Sequence, residues 1–319
     1  MKKIFTLFLC AAVALSVTAC SADKDPLNSD TDVHSEVNAS SNESVFSEES
    51  FSPDNADSSD VSNSSNAGSS SEERTEYRSL TILGDSIASG CMLPQYEPGN
   101  NYSSPLSFGN MLGAGFESYR NFAVDGRTTE ELLNALKSSD ELAEAVSNSD
   151  VVVISIGGND FLQPMISAMM SDGELIASIF SQGYQPDMSD EVTQKIFNSA
   201  LDAAKNVDVK KTLDNISECV MLISDVNPDT EIILMTVYNP FPGNDLLNAA
   251  AEIAQEQLSV LNYGITTLQG GKVSVIDLYD AFDGKADKYT NIGIMDVHPN
   301  ADGHYRIYEL LKKQLKIDN

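Results

Sequence analysis

Histidine is scarce in this chain of 319 residues: there are three, and two of them, His298 and His304, stand close together near the C-terminus. A mechanism that needs an imidazole base has almost nowhere else to find one, because the third, His34, lies in a stretch of serine, asparagine and acid. Cysteine is nearly as rare. Of the four, Cys10 and Cys20 belong to the first twenty residues, so a folded domain would hold only Cys91 and Cys219, either paired in an oxidising compartment or kept as buried thiols. Two cysteines and two histidines argue against a structural zinc site, and no metal or cofactor is expected. Basic residues are few as well. Against 48 Asp and Glu stand 19 Lys and Arg, a net charge of -29, which leaves no basic patch for nucleic acid or for docking on an anionic membrane.

Long apolar runs are absent except at the start, "MKKIFTLFLCAAVALSVTAC", where Lys2 and Lys3 precede an apolar run from Ile4 to Val17. The run is short for a membrane span and reads as a signal peptide over residues 1–19. Its end, "VTAC", resembles a bacterial lipobox, which would make Cys20 the lipidated first residue of the mature protein. Ordinary secretion with cleavage after Ala19 is the other reading, and both put the protein outside the cytoplasm; the lipobox reading places it on a bacterial cell surface. From Ser21 to Glu76 the only bases are Lys24 and Arg74, and apolar residues are too sparse to offset the entropy of ordering. Residues 20–76 therefore read as a disordered tether that would hold a domain at 77–319 about 40 Å from its anchor.

Beyond Tyr77 the pattern changes. Five β-rich runs, 79–83, 117–123, 151–156, 231–237 and 273–278, alternate with stretches of helical spacing at 128–146, 191–206, 209–226 and 245–268. Strands that are apolar throughout and alternate with helices predict a parallel sheet covered on both faces, hence one three-layer α/β/α domain with five parallel strands. Ligands of such sheets bind beyond the carboxyl ends of the strands. The distinctive polar residues follow the strands: "GDS" (84–86) the first, "VDGR" (124–127) the second, "GGND" (157–160) the third, "YNPFPGN" (238–244) the fourth and "DVHPN" (296–300) the fifth.

Taken singly these residues mean little, since Ser86 serves equally as a helix cap, Gly126 as a turn residue and Asn159 as a cap. In order, a serine after the first strand, a glycine after the second, an asparagine after the third and a late histidine are the parts of an acyl-transfer site. The set resembles the SGNH, or GDSL-type, hydrolases, a family with a flavodoxin-like fold, and the resemblance spans nearly all of residues 79–313. It implies that Ser86 is the nucleophile and His298 the base, and that the amides of Ser86 and Gly126 with the Asn159 side chain form the oxyanion hole. The chemistry suits each role. A serine hydroxyl needs a base to take its proton, a glycine brings its N–H close without a side chain in the way, and an asparagine amide donates at any working pH. Asp85 and Asp160 read as carboxylates that brace loops, and His304, just inside the last helix, as a surface or packing residue.

One departure concerns the residue that orients His298. Family members usually show Asp-x-x-His, but here Met295 stands three before the histidine and Asp296 two before it. The orienter is either the Asp296 carboxylate, favoured because a charged acceptor binds imidazolium better, or the main-chain carbonyl of Met295 in a Ser-His dyad. Substrate is less legible. The segments "FLQPMISAMM" (161–170) and "LIASIFSQGY" (175–184) read as a packed helix, an acyl-chain groove or a lid. The "YNPFPGN" loop resembles that of members likened to lysophospholipases, pointing to a lysophospholipid-like or simple acyl ester. A deacetylase or O-acyltransferase on cell-wall or dietary glycan and an inactive glycan-binding lipoprotein are the alternatives. Membrane contact is expected only through the lipid at Cys20.

Overall fold

The computed structural model describes residues 77–171, 191–241, 248–294 and 296–317. The signal and tether readings, Cys20, the segment 175–184 and Met295 lie outside the described residues. The five strands are β1 (Ser79–Gly84), β2 (Ser118–Asn121), β3 (Val151–Ser155), β4 (Glu231–Met235) and β5 (Val273–Ile276). All pair in parallel in the order β2-β1-β3-β4-β5. Chain order thus reverses between β1 and β3, which puts a crevice at the carboxyl ends of those two strands.

Burial explains why these runs are strands. Val151 to Ser155 of β3 are all buried, and successive residues face opposite layers. Val151 and Val153 join Leu80, Ile82 and Ile233 in one core, closed by Phe108 and Leu112 of α2 (Phe108–Gly113) and by Ile307 and Leu311 of α11 (Ala301–Gln314). Val152 and Ile154 join Leu83, Ile232 and Leu234 in the other. That core is closed by α3 (Thr129–Ser138), α4 (Asp140–Ser147), α7 (Val209–Val226) and α8 (Asn248–Thr267). Two cores on the two faces of one sheet make the three layers expected from the sequence.

The shorter helices are α1 (Ser86–Ser89), α9 (Leu278–Phe282) and α10 (Ala286–Tyr289), while α5 (Gly158–Met170) and α6 (Glu191–Lys205) follow β3. β1 runs one residue past its β-rich run, to Gly84, whereas β2, β3, β4 and β5 end before theirs do, where the chain turns into the loops that carry the polar groups. The stretch of helical spacing at 128–146 divides at Ser139, whose hydroxyl accepts from the Leu142 amide and starts a new helix. Its first half begins in a full capping box between Thr128 and Glu131. The segment 161–170 is helical, with Pro164 accommodated inside α5. At the start of the domain, Asp150 accepts from the amides of Arg78 at 2.7 Å and Ser79 at 2.9 Å, tying the chain entry to the strand that becomes β3.

His304 is fully buried, so the surface half of its reading falls and the packing half stands. Its Nδ1 accepts from the Phe108 amide at 3.2 Å and its ring stacks on Phe108, docking α11 on α2. Burial, helped by the charge of His298, pushes its pKa down to about 3. The unfolded chain binds a proton at His304 below about pH 6.5 and the folded chain does not. Stability from a neutral His304 is therefore complete above about pH 6.5 and is lost as pH falls toward 3. His304→Gln removes this titration, so the melting-temperature advantage of the parent over the variant should shrink steadily from pH 7 to pH 4. A constant difference across that range would show that His304 is not held neutral. Cys91 and Cys219 are both buried free thiols.

Candidate active site

The first strand ends in a close approach. A side chain on Gly84 would stand 2.2 Å from the Ser155 carbonyl oxygen, so only glycine lets β1 and β3 run this near before the chain turns. Asp85 then caps α1, accepting from the Ile87 amide at 3.0 Å, and Ser86 is the first residue of that helix, 6% exposed. Its Oγ lies 2.9 Å from His298 Nε2, a contact between residues 212 positions apart.

His298 is fixed from both sides. Its main-chain carbonyl accepts from the Asn291 amide at 3.0 Å, Thr290 and Pro299 pair across the loop, and Asn300 caps α11 through the Gly303 amide. Its ring Nδ1 is 2.5 Å from Asp296 Oδ1, and the same oxygen accepts from the His298 amide at 3.2 Å. One tight turn thereby lets a carboxylate only two residues before the histidine reach its ring. The other carboxylate oxygen accepts from the Asn291 side chain at 3.0 Å. Burial alone would push the Asp296 carboxyl up, but the His298 ring and amide together with Asn291 outweigh it and hold it below the usual carboxylate range. An ionised carboxylate only accepts, so the ring proton sits on Nδ1 and Nε2 is left to accept from the Ser86 hydroxyl.

Asn159 stands in the first turn of α5, 7% exposed, its Nδ2 3.1 Å from the Arg127 carbonyl and 3.4 Å from Asp85 Oδ2. Gly126 lies one residue before Arg127 with φ +78°, a conformation that favours glycine. Its carbonyl accepts from Gln163 of α5 at 2.6 Å. Ser86, His298 and Asp296 are thus brought into one hydrogen-bonded line, with Asn159 and the Gly126 loop beside it. Asp160 braces the site from behind, accepting from the Thr129 hydroxyl at 2.6 Å and amide at 3.0 Å. Burial pushes Asp85 up to about 7, the Ile87 amide and His298 opposing and the charges of Asp160 and Asp125 adding.

Residues 82–306 match the GDSL-like Lipase/Acylhydrolase family. The chain belongs to that family. It is a serine hydrolase acting on ester bonds. Among solved structures, the GDSL-like chain resembles phospholipase A1 from Streptomyces albidoflavus NA297, with 18% identity, 75% of this chain and 99% of that one covered and a TM-score of 0.55. It also resembles an extracellular lipase from Streptomyces rimosus, with 16% identity, 74% and 99% covered and a TM-score of 0.51. Both likenesses are to the fold. A comparison with curated proteins finds no match.

Several parts of this GDSL-like site escaped the sequence reading. Asp125, beside Gly126, accepts from the Ser89 hydroxyl at 2.6 Å and from the Tyr96 hydroxyl, which clamps the glycine loop onto the segment after α1. Tyr238, from the "YNPFPGN" loop, donates to the Val297 carbonyl at 2.7 Å and so holds the residue between Asp296 and His298. Asn291 carried no sequence signal at all, whereas Asp125 and Tyr238 lay inside quoted strings whose partners depend on the fold.

Proposed function

We propose that the chain is an extracytoplasmic serine esterase that releases acyl groups through an acyl-Ser86 intermediate, with His298 as base and Asp296 as its orienter. The observation that carries the reading is the unbroken line from Asp296 Oδ1 to His298 Nδ1 at 2.5 Å and from Nε2 to Ser86 Oγ at 2.9 Å. As Oγ attacks the ester carbonyl carbon, Nε2 takes the hydroxyl proton, and Asp296 stabilises the resulting imidazolium. The carbonyl oxygen becomes an oxyanion facing the amides of Ser86 and Gly126 and the Asn159 side chain, whose long contact to Asp85 is the one it would replace. Collapse breaks the bond to the alcohol oxygen, which leaves with the proton from His298. Water then attacks the acyl carbon, gives a proton to His298, and the acid departs as that proton returns to Ser86 Oγ.

An apolar cavity beside Ser86 and His298, lined by Phe161, Leu162 and Met165 of α5, favours an ester with a hydrocarbon acyl chain over an acetylated glycan. A fluorophosphonate probe tests the reading: the intact protein should gain the phosphonyl mass on the peptide containing Ser86, and should lose this labelling when an excess of acyl ester is present. A folded protein that takes up no label would support the glycan-binding alternative. Turnover that appears only with a sugar acceptor would support the transferase.

Residues 1–19 are assigned to a signal peptide, Cys20 to lipid attachment and residues 20–76 to the tether. Among the described residues no helix is long and apolar enough to cross a membrane. Cys20→Ser is expected to move the protein from the membrane to the soluble fraction with turnover intact. Retention in the membrane fraction would refute the lipid anchor.

A further inference from the structure

The cavity at Ser86 has a volume of about 100 Å³. A single water needs roughly 10–15 Å³ on the same measure, so a short alkyl chain fits. Part of its wall is a small apolar cluster, separate from the two cores of the sheet. Leu201 and Ala204 of α6 meet Ala250 and Ile253 of α8, with Met165 and Phe241 packed against them. All six line the cavity, and the four helix residues from α6 and α8 are each less than a tenth exposed. Two of those four wall positions are alanine, the smallest apolar side chain with a Cβ, at a place where α6 and α8 pack together on the cavity wall.

We infer that this cavity is the acyl-chain subsite and that Ala204 and Ala250 set the longest chain it accepts. The inference rests on the proposal that Ser86 is the nucleophile. The chain that gains from an apolar wall through both half-reactions is the acyl chain, because the alcohol must leave and water must replace it at His298 before the second. Each methylene buried against such a wall is worth about fourfold in kcat/KM until the chain meets the far side. Leucine at Ala204 or Ala250 moves that limit toward Ser86. Alanine at Leu201 moves it away.

The experiment measures kcat/KM of the intact protein on 4-nitrophenyl acetate, butyrate, hexanoate and octanoate, and on acetate esters of alcohols of matching length. The parent should prefer hexanoate to acetate by at least about tenfold, from four added methylenes of which the cavity takes most. Ala204→Leu and Ala250→Leu should each lower the hexanoate-to-acetate ratio by about tenfold or more, and Leu201→Ala should raise the octanoate-to-butyrate ratio. Each ratio is internal to one preparation, and shifts in opposite directions do not arise from partial unfolding. A parent that prefers acetate while Ser86 is labelled by the fluorophosphonate overturns the subsite and leaves the esterase reading in place. Ratios that respond to alcohol length instead of acyl length assign the cavity to the leaving group and overturn the inference. No label and no ester turnover overturn the nucleophile assignment and the subsite with it.

Discussion

Asp296→Ala is expected to lower kcat by three to four powers of ten with little change in KM. The size follows from the role proposed for the carboxylate, which is to hold His298 in the tautomer whose Nε2 can accept from Ser86 and to face the positive charge that appears on the ring during attack, where loss of such an aspartate costs about 10⁴. The surroundings support that role. Asp296 is 7% exposed, its Oδ1 is 2.5 Å from the ring nitrogen, and its Oδ2 is held by Asn291 at 3.0 Å. Those bonds keep it ionised below the usual carboxylate range in spite of burial, so it stays an acceptor throughout the working pH of an esterase. The competing orienter, the carbonyl of Met295, lies outside the described residues. Turnover above about a tenth of the parent rate at an unchanged melting temperature would rule out the carboxylate and leave a dyad steered by the main chain.

The second large effect is expected at Asn159. Asn159→Ala should reduce kcat by about 10² to 10³, again with KM nearly constant, because an oxyanion donor acts on charge that exists only in the transition state. The measurement must separate this from a bracing role, since in the free protein Nδ2 already contacts the Arg127 carbonyl and Asp85. A brace would reveal itself as a lowered melting temperature with a kcat loss of tenfold or less. A donor leaves stability nearly alone and takes the loss in kcat.

The layers of the fold were legible because the code for them is local and periodic. In "VVVISI" every residue but Ser155 is apolar and alternate residues meet opposite layers, so a strand buried on both faces is the arrangement that satisfies them. The candidate site was legible for a related reason: Ser86, Gly126 and Asn159 follow β1, β2 and β3, and parallel strands deliver such positions to one edge, which the loop carrying His298 reaches just before α11. The resemblance to a family supplied roles that spacing alone left open.

Sequence by itself determined the parallel order of alternating elements and the short list of groups able to do acyl chemistry, since both are set by residue type and near-neighbour spacing. Tertiary structure alone decided which groups meet. The contact between Ser86 and His298 spans 212 positions and depends on sheet order. Whether Asp296 reaches its histidine depends on the dihedrals of one turn, which no residue count predicts. His304 is buried where α11 lies on α2, and Cys91 and Cys219 are buried free thiols. The cavity wall joins α6 to α8, helices separated in the chain by α7 and β4, with Ala204 and Ala250 both on it. Such features are products of packing between distant segments, and periodicity within one segment carries no information about them.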